Sequence, residues 1–265
     1  RKLGVDKLSE TAKKFGLGKE VFGELFDIEK RGLVPNTQWK KNALGQGWLL
    51  GEVVRRVDGR TLGNFFREEV AEKIGADFHI GLSEKHFDRV ALLDTSAVDG
   101  PVVLTDETPH HFVERVEQHG RLGAKIANSD RWRKSEFPAA NGHGNARSVA
   151  FIHNLIACNG ASDEFELLSP DTVKRIFEIQ TDDTDLILGV PIRHGMGFGL
   201  RSDLMPISPN ENACFWGGWG GSLAVIDVDA RMSFAYVMNR MAPSLQHDMR
   251  AGRTLMATHA ALASS

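Results

Sequence analysis

The run Phe215-Trp216-Gly217-Gly218-Trp219-Gly220-Gly221-Ser222 concentrates residues whose types and spacing could do chemistry. Two glycine pairs strip side chains from one short stretch of backbone. A ligand can then lie close against N–H and C=O groups there. The same pairs also fit a bulged strand edge where glycines relieve crowding, and spacing alone leaves both readings open. Within the run, Gly220-Gly221-Ser222-Leu223-Ala224 nearly spells G-x-S-x-G. That turn needs a helix behind its serine, whereas a strand pattern follows here and the last position is Ala224. Ser222 is therefore set aside as a nucleophile of that type.

Other candidates carry less. Gly142-His143-Gly144 and Gly195-Met196-Gly197-Phe198-Gly199 are glycine-rich, but neither sits between a strand and a helix of a βαβ unit, so both read as turns. Of the ten histidines, His110, His111 and His119 cluster without metal-ligand spacing, and a solvated surface group is expected. Cys158 and Cys214 are too few for a disulfide framework and leave the redox compartment open.

These residues must be held by elements. Val5, Leu8, Ala12 and Phe15 fall at helical spacing, and Gly16 and Gly18 end that segment. Residues 19–47 read as loop. A helix fits 48–58 with Leu50, Val53 and Val54 inward, and another fits 61–74 through Leu62, Phe65, Phe66, Val70 and Ile74. Residues 75–144 give no clear period. Val149, Ile152 and Ile156 predict a helix over 146–158. Ser169-Pro170 caps one that runs to about Ile179. Leu223–Asp227 and Met232–Met238 bracket a turn at Val228-Asp229-Ala230-Arg231, a hairpin pattern that includes the single tyrosine, Tyr236. A closing helix over 245–263 would place Leu245, Met249, Met256 and Ala260 on one face.

The chain has 265 residues, 42% hydrophobic and 25% charged, as in ordinary globular proteins. Its net charge of −3 gives no basic excess for nucleic acid. No apolar run is long enough for a membrane segment. Residues 1–47 carry +4 and the remainder −7, which marks a candidate boundary near residue 47. The expected division is 1–47 and 48–265. The opening at Arg1, without Met or signal peptide, reads as a fragment or processed piece.

Several stretches carry a family resemblance. They are Gly47-Trp48-Leu49-Leu50-Gly51-Glu52-Val53-Val54, Val57-Asp58-Gly59-Arg60-Thr61-Leu62-Gly63, Phe137-Pro138-Ala139-Ala140-Asn141-Gly142-His143-Gly144-Asn145-Ala146-Arg147-Ser148, Met196-Gly197-Phe198-Gly199-Leu200, and Trp216 to Ser222 with its hairpin. With these, residues 43–265 resemble the serine β-lactamase-like superfamily, in particular family VIII carboxylesterases and class C β-lactamases. The resemblance implies an α/β fold of the α+β type: an antiparallel sheet flanked by helices, with a helical region beside it. It implies acyl transfer through an acyl-serine on a small ester or β-lactam, with no cofactor and no metal. Trp216, Gly217 and Gly218 take the place of the family's substrate-binding K-T-G or W-G-G strand. The backbone N–H of Trp219 matches the strand donor of the oxyanion hole.

Two family elements have no match. No serine has a lysine three residues later, so the S-x-x-K nucleophile is absent; Thr11-Ala12-Lys13-Lys14 is the nearest imitation. The family's tyrosine would stand seven residues before Trp48, where this sequence has Lys41. Residues 1–47 instead resemble the transpeptidase domain of class B penicillin-binding proteins, through Arg1-Lys2-Leu3-Gly4-Val5-Asp6, Phe15-Gly16-Leu17-Gly18, Gly32-Leu33-Val34-Pro35 and Trp39-Lys40-Lys41. The chain therefore reads as a hybrid that lacks its N-terminal part. Three readings follow: a serine hydrolase, an inert fragment that keeps a binding wall, or a peptidoglycan transpeptidase or carboxypeptidase. The esterase branch implies a cytoplasmic place and the penicillin-binding branch a periplasmic one.

A sheet without its N-terminal strands leaves an edge and an apolar face to associate. The expected result in size-exclusion chromatography is therefore self-association. A clean monomer with a sharp melting transition would refute it.

Overall fold

A computed structural model describes residues 45–98, 124–162, 165–185, 190–243 and 248–264. The expected helix through Val5 to Phe15, the loop at 19–47 up to residue 44, Lys41, the histidines 110, 111 and 119, and Leu245 lie outside these residues.

Six strands form one antiparallel meander: β3 (Thr181–Thr184), β4 (Pro191–His194), β5 (Gly199–Leu200), β6 (Ala213–Gly217), β7 (Leu223–Asp227) and β8 (Met232–Tyr236), each paired to the next. A separate two-stranded ladder joins β1 (Phe78–Ile80) to β2 (Gly142–Gly144). Gly142-His143-Gly144 is thus a strand and not a turn. Phe78 lies across it, so a Cβ on Gly142 would come within 2.3 Å of that ring.

The large sheet is covered on both sides. Phe215, Val225 and Phe234 face each other across three strands and pack with Met205, Met232 and Leu255. Leu255 belongs to α6 (Met249–Ala263). On the other face Cys214 and Ile226 pack with Leu200, Ala157 of α4 (Ala146–Ala157) and Ile176 of α5 (Pro170–Ile176). Ser233 Oγ donates to the carbonyl of Ala150, tying β8 to α4 at 2.7 Å.

Two helices present different faces from those their periodicity predicts. In α1 (Gly45–Asp58), Leu50 and Val53 are exposed, and Gly47 makes the close contact instead, against the Ala139 backbone. In α6, Met249, Met256 and Ala260 are exposed while Ala251 and Leu255 are buried. Both helices have apolar residues on more than one face, so period alone could not choose the buried one. The helix expected over 61–74 is α2 (Leu62–Phe66) followed by a π-turn, Arg67–Ala71. The α5 helix stops at Ile176, three residues early, and Ile179 is exposed.

Polar side chains join the elements. Thr61 caps α2, accepting from Asn64 N–H and donating to Glu136 Oε1 at 2.6 Å, while Gly63 N–H donates to Glu136 Oε2 at 2.9 Å. Asn141 is almost wholly buried. Its carbonyl accepts from Phe137 N–H at 2.9 Å, and its amide donates to the carbonyls of Trp132 (3.0 Å) and Ser135. Trp132 belongs to α3 (Asp130–Lys134), so this one side chain folds the approach to β2 back onto that helix. Asn141→Asp replaces two donors with acceptors facing carbonyls. Urea denaturation is expected to show a loss of about 1–3 kcal/mol, and an unchanged midpoint would refute the bridging role.

Candidate functional site

Both faces of β6 are occupied up to Phe215: Ala213, Cys214 and Phe215 are all buried. Burial pushes the Cys214 thiol up to about 12, so it supplies no thiolate near neutral pH. Exposure begins at Trp216. The register places Trp216 opposite Ala224 and Ala235, on the face that α4 covers, and its indole is 41% exposed. The His194 ring lies 5.9 Å from it, and His194 Nε2 is 3.2 Å from Asp185 Oδ2.

β6 and β7 are joined by a tight turn. Gly218 N–H donates to the Ser222 carbonyl at 2.8 Å, and Gly221 N–H donates to the Gly218 carbonyl at 3.0 Å. Gly220 has φ +99° and Gly221 φ +112°, a region that side chains rarely enter. The turn is anchored from α6. Asp248 caps that helix, accepting from Arg250 N–H at 2.8 Å, and also pairs with the Arg250 guanidinium. Hydrogen bonding from that guanidinium holds the Asp248 carboxyl below the usual carboxylate range. Arg250 Nη2 and Ala242 N–H both donate to the Gly220 carbonyl, at 3.2 and 2.9 Å.

Gly218 and the second glycine pair have different causes. A Cβ on Gly221 would fall 1.9 Å from Asp248 Oδ2, so packing and positive φ both demand glycine there. A Cβ on Gly218 would meet nothing nearer than 3.7 Å, and Gly218 does not have a positive φ. The crowding explanation therefore accounts for the second pair and not for Gly218. Beside it, the N–H of Trp219 has no acceptor among the described residues, as expected for the second residue of such a turn, and its indole is 46% exposed. Ser222 is half-buried, its Oγ accepts from Met238 N–H at 3.4 Å, and the strand β7 follows it.

Trp216, Gly217, Gly218 and Trp219 are thus one continuous strand end. Lys41 lies outside the described residues. Asp248, Arg250, His194 and Asp185 were not singled out from sequence. Asp248 could have been found as the cap of the last helix with Arg250 paired two residues on, but the partners of His194 and Asp185, and the Arg250 bond to Gly220, are set by the fold. Among the described residues, no group of three His, Cys, Asp or Glu side chains could hold a metal ion, and no helix is long and apolar enough to cross a membrane.

Comparison with known proteins gives concordant matches. The Beta-lactamase family model matches residues 26–257, across the charge boundary near residue 47. Esterase/beta-lactamase LipL of Mycobacterium tuberculosis is 29% identical over 222 residues, 80% of this chain and 50% of that protein. Two crystal structures superpose well. A penicillin-binding protein homolog from Caulobacter crescentus has a TM-score of 0.72 and 33% identity, over 82% of this chain and 57% of that one. A family VIII carboxylesterase has a TM-score of 0.71 and 32% identity, over 83% and 57%. The chain therefore spans between half and three fifths of the length of these proteins.

The split between the glycine pairs is testable. Gly218→Ala should leave stability within about 0.5 kcal/mol of the unaltered chain. Gly221→Ala should cost about 1–3 kcal/mol through backbone strain. Equal losses for both in urea denaturation would mean that crowding explains the whole run.

Proposed function

Because the chain belongs to the beta-lactamase family of serine hydrolases and esterases, we propose that it forms the sheet wall of an acyl-serine site that cleaves small esters. The observation that supports this best is the room beside Gly218 next to the Trp219 N–H, which has no acceptor among the described residues. In this reading an acyl group lies along the end of β6 with its carbonyl oxygen at the Trp219 N–H. When a serine attacks, negative charge gathers on that oxygen and the fixed N–H stabilises it. A preorganised donor of this kind is worth on the order of 3 kcal/mol of barrier. The tight turn and its anchor to α6 keep the N–H from relaxing.

Esters are favoured over β-lactams by charge. A cation at the head of this strand would pair with the carboxylate of a β-lactam. Trp216 brings an uncharged, half-exposed indole instead, with the His194 ring behind it. This wall suits a small apolar acyl or alcohol group.

The nucleophile is the open part of the reading. No serine of these 265 residues has a lysine three positions on. The proposal therefore assigns the S-x-x-K element to polypeptide outside them. The same absence favours a second reading, an inert hybrid that keeps only the wall. A peptidoglycan transpeptidase or carboxypeptidase is the third, drawing on residues 1–47 and on the Caulobacter homolog.

Intact-mass spectrometry after exposure to a fluorophosphonate, and separately to a penicillin, distinguishes them. On the native gene product, a single fluorophosphonate adduct on an S-x-x-K serine, with turnover of a nitrophenyl acetate, is the expected result. There Gly218→Val should lower kcat/KM by about a hundredfold if the acyl group lies on that strand. No adduct on folded protein would establish the inert reading. Stable acylation by penicillin without ester turnover would establish the transpeptidase reading, and an adduct on Ser222 would overturn the placement of the nucleophile.

A further inference from the structure

We propose that Asp77, His79, His86 and Arg89 form an acid-operated latch between β1 and the short 3-10 helix Glu84–Arg89, closed while His86 is neutral and opened when it takes a proton.

The four side chains make a closed ring. Asp77 Oδ1 accepts from His79 Nε2 at 3.0 Å, and Asp77 Oδ2 accepts from Arg89 Nη2. Arg89 Nη1 lies 3.3 Å from His86 Nδ1. The ring closes where the His86 and His79 imidazoles face each other, with centroids 4.9 Å apart and planes at 31°.

One contact fixes a protonation state. A guanidinium has only donors, so His86 Nδ1 must accept and therefore carries no proton. Protonating His86 does two things together. It removes the acceptor of the Arg89 bond, and it sets a new positive charge against Arg89 and the His79 ring, with Asp77 as the facing carboxylate. The other charged neighbours do not offset this. Lys85 and Asp88 stand on the same short helix, Glu84 there is paired with Lys134 of α3, and Arg133 of α3 lies over the Phe87 ring. Across the ladder from His79, on β2, stands His143. Its Nδ1 is buried with no partner among the described residues, and burial holds that imidazole below the usual histidine range.

Burial first, then the charges of His79, Lys85 and Arg89, also hold His86 below its ordinary value. With the folded value depressed, the latch is fully closed above the ordinary histidine range near about pH 6.5. It is lost as pH falls through the lowered value. The readout is not local to one loop. Asp77 N–H donates to Ser148 Oγ at 2.9 Å, at the start of α4, which packs on β7 and β8. The latch thus sets how firmly the small ladder is held against the helix covering the large sheet.

Hydrogen–deuterium exchange tests this, with peptides from 78–92 compared with peptides from β6–β7 and rates corrected for intrinsic exchange. Protection of 78–92 is expected to fall several-fold between about pH 7.5 and about pH 5.5 in the unaltered protein, as proton uptake by His86 opens the ring. β6–β7 should stay unchanged. His86→Asn keeps an acceptor for Arg89 and cannot take a proton, so its protection should not vary over that range. Asp77→Asn should open the segment at both values. Loss of protection in His86→Asn equal to that of the unaltered protein would overturn the latch, as would constant protection in the unaltered protein. If His86→Asn does not fold, NMR titration of the His86 ring proton in the unaltered protein decides. A midpoint below the ordinary histidine value supports the latch, and one at or above that value overturns it.

Discussion

Burial of β6 on both faces is the constraint from which the rest of the site follows. Phe215 goes to the α6 side and Cys214 to the α4 and α5 side, each packed by neighbours from two adjacent strands. A strand held this way offers no side chain to a ligand along its length. Access begins only at Trp216, and what is offered there is backbone and indole. In the proposed reading the chemistry offered there is that of an N–H donor beside an uncharged wall, and rigidity is what such a donor needs.

That end of the strand is held by its turn and not by its own packing. Gly220 and Gly221 adopt positive φ, and their geometry is bound to Asp248 and Arg250 at the head of α6. The last helix thus contributes to the site without entering it. Its first turn holds the Gly220 carbonyl of the turn through Arg250, while Leu255 further along fills the core beneath Phe215. Packing and positioning are carried by the same element, so movement of α6 would be felt at the site.

The helical side is organised differently, by polar bonds that join separate segments. Glu136 receives the cap of α2, Asn141 ties α3 to the approach to β2, and Ser148 Oγ on α4 accepts from the backbone N–H of Asp77 just before β1. Asn141 and Ser148 are buried, and a buried polar group left without its partner is costly. These contacts hold the small ladder against α4 through a few directional bonds, whereas the large sheet relies on broad apolar contact. Directional bonds respond to protonation and apolar contacts do not, which is why a pH response would concentrate there.

Local chemistry decided much by itself. The hairpin from Leu223 to Tyr236, helix α4, and the Ser169-Pro170 start of α5 follow from alternation, period and capping, all read within a few residues. The run from Trp216 to Ser222 stood out for its glycines, and several motifs in order carried the family. Tertiary structure decided the rest. It chose which apolar face of α1 and α6 is buried, because each helix offers more than one and only the neighbouring surface selects. It placed short elements between residues 75 and 144, whose partners lie up to about seventy residues away and leave no periodic trace. It also separated Gly218 from Gly221, which look alike in sequence. Gly221 is required by Asp248, which lies distant in the chain and adjacent in space, whereas Gly218 is required by nothing in the described fold.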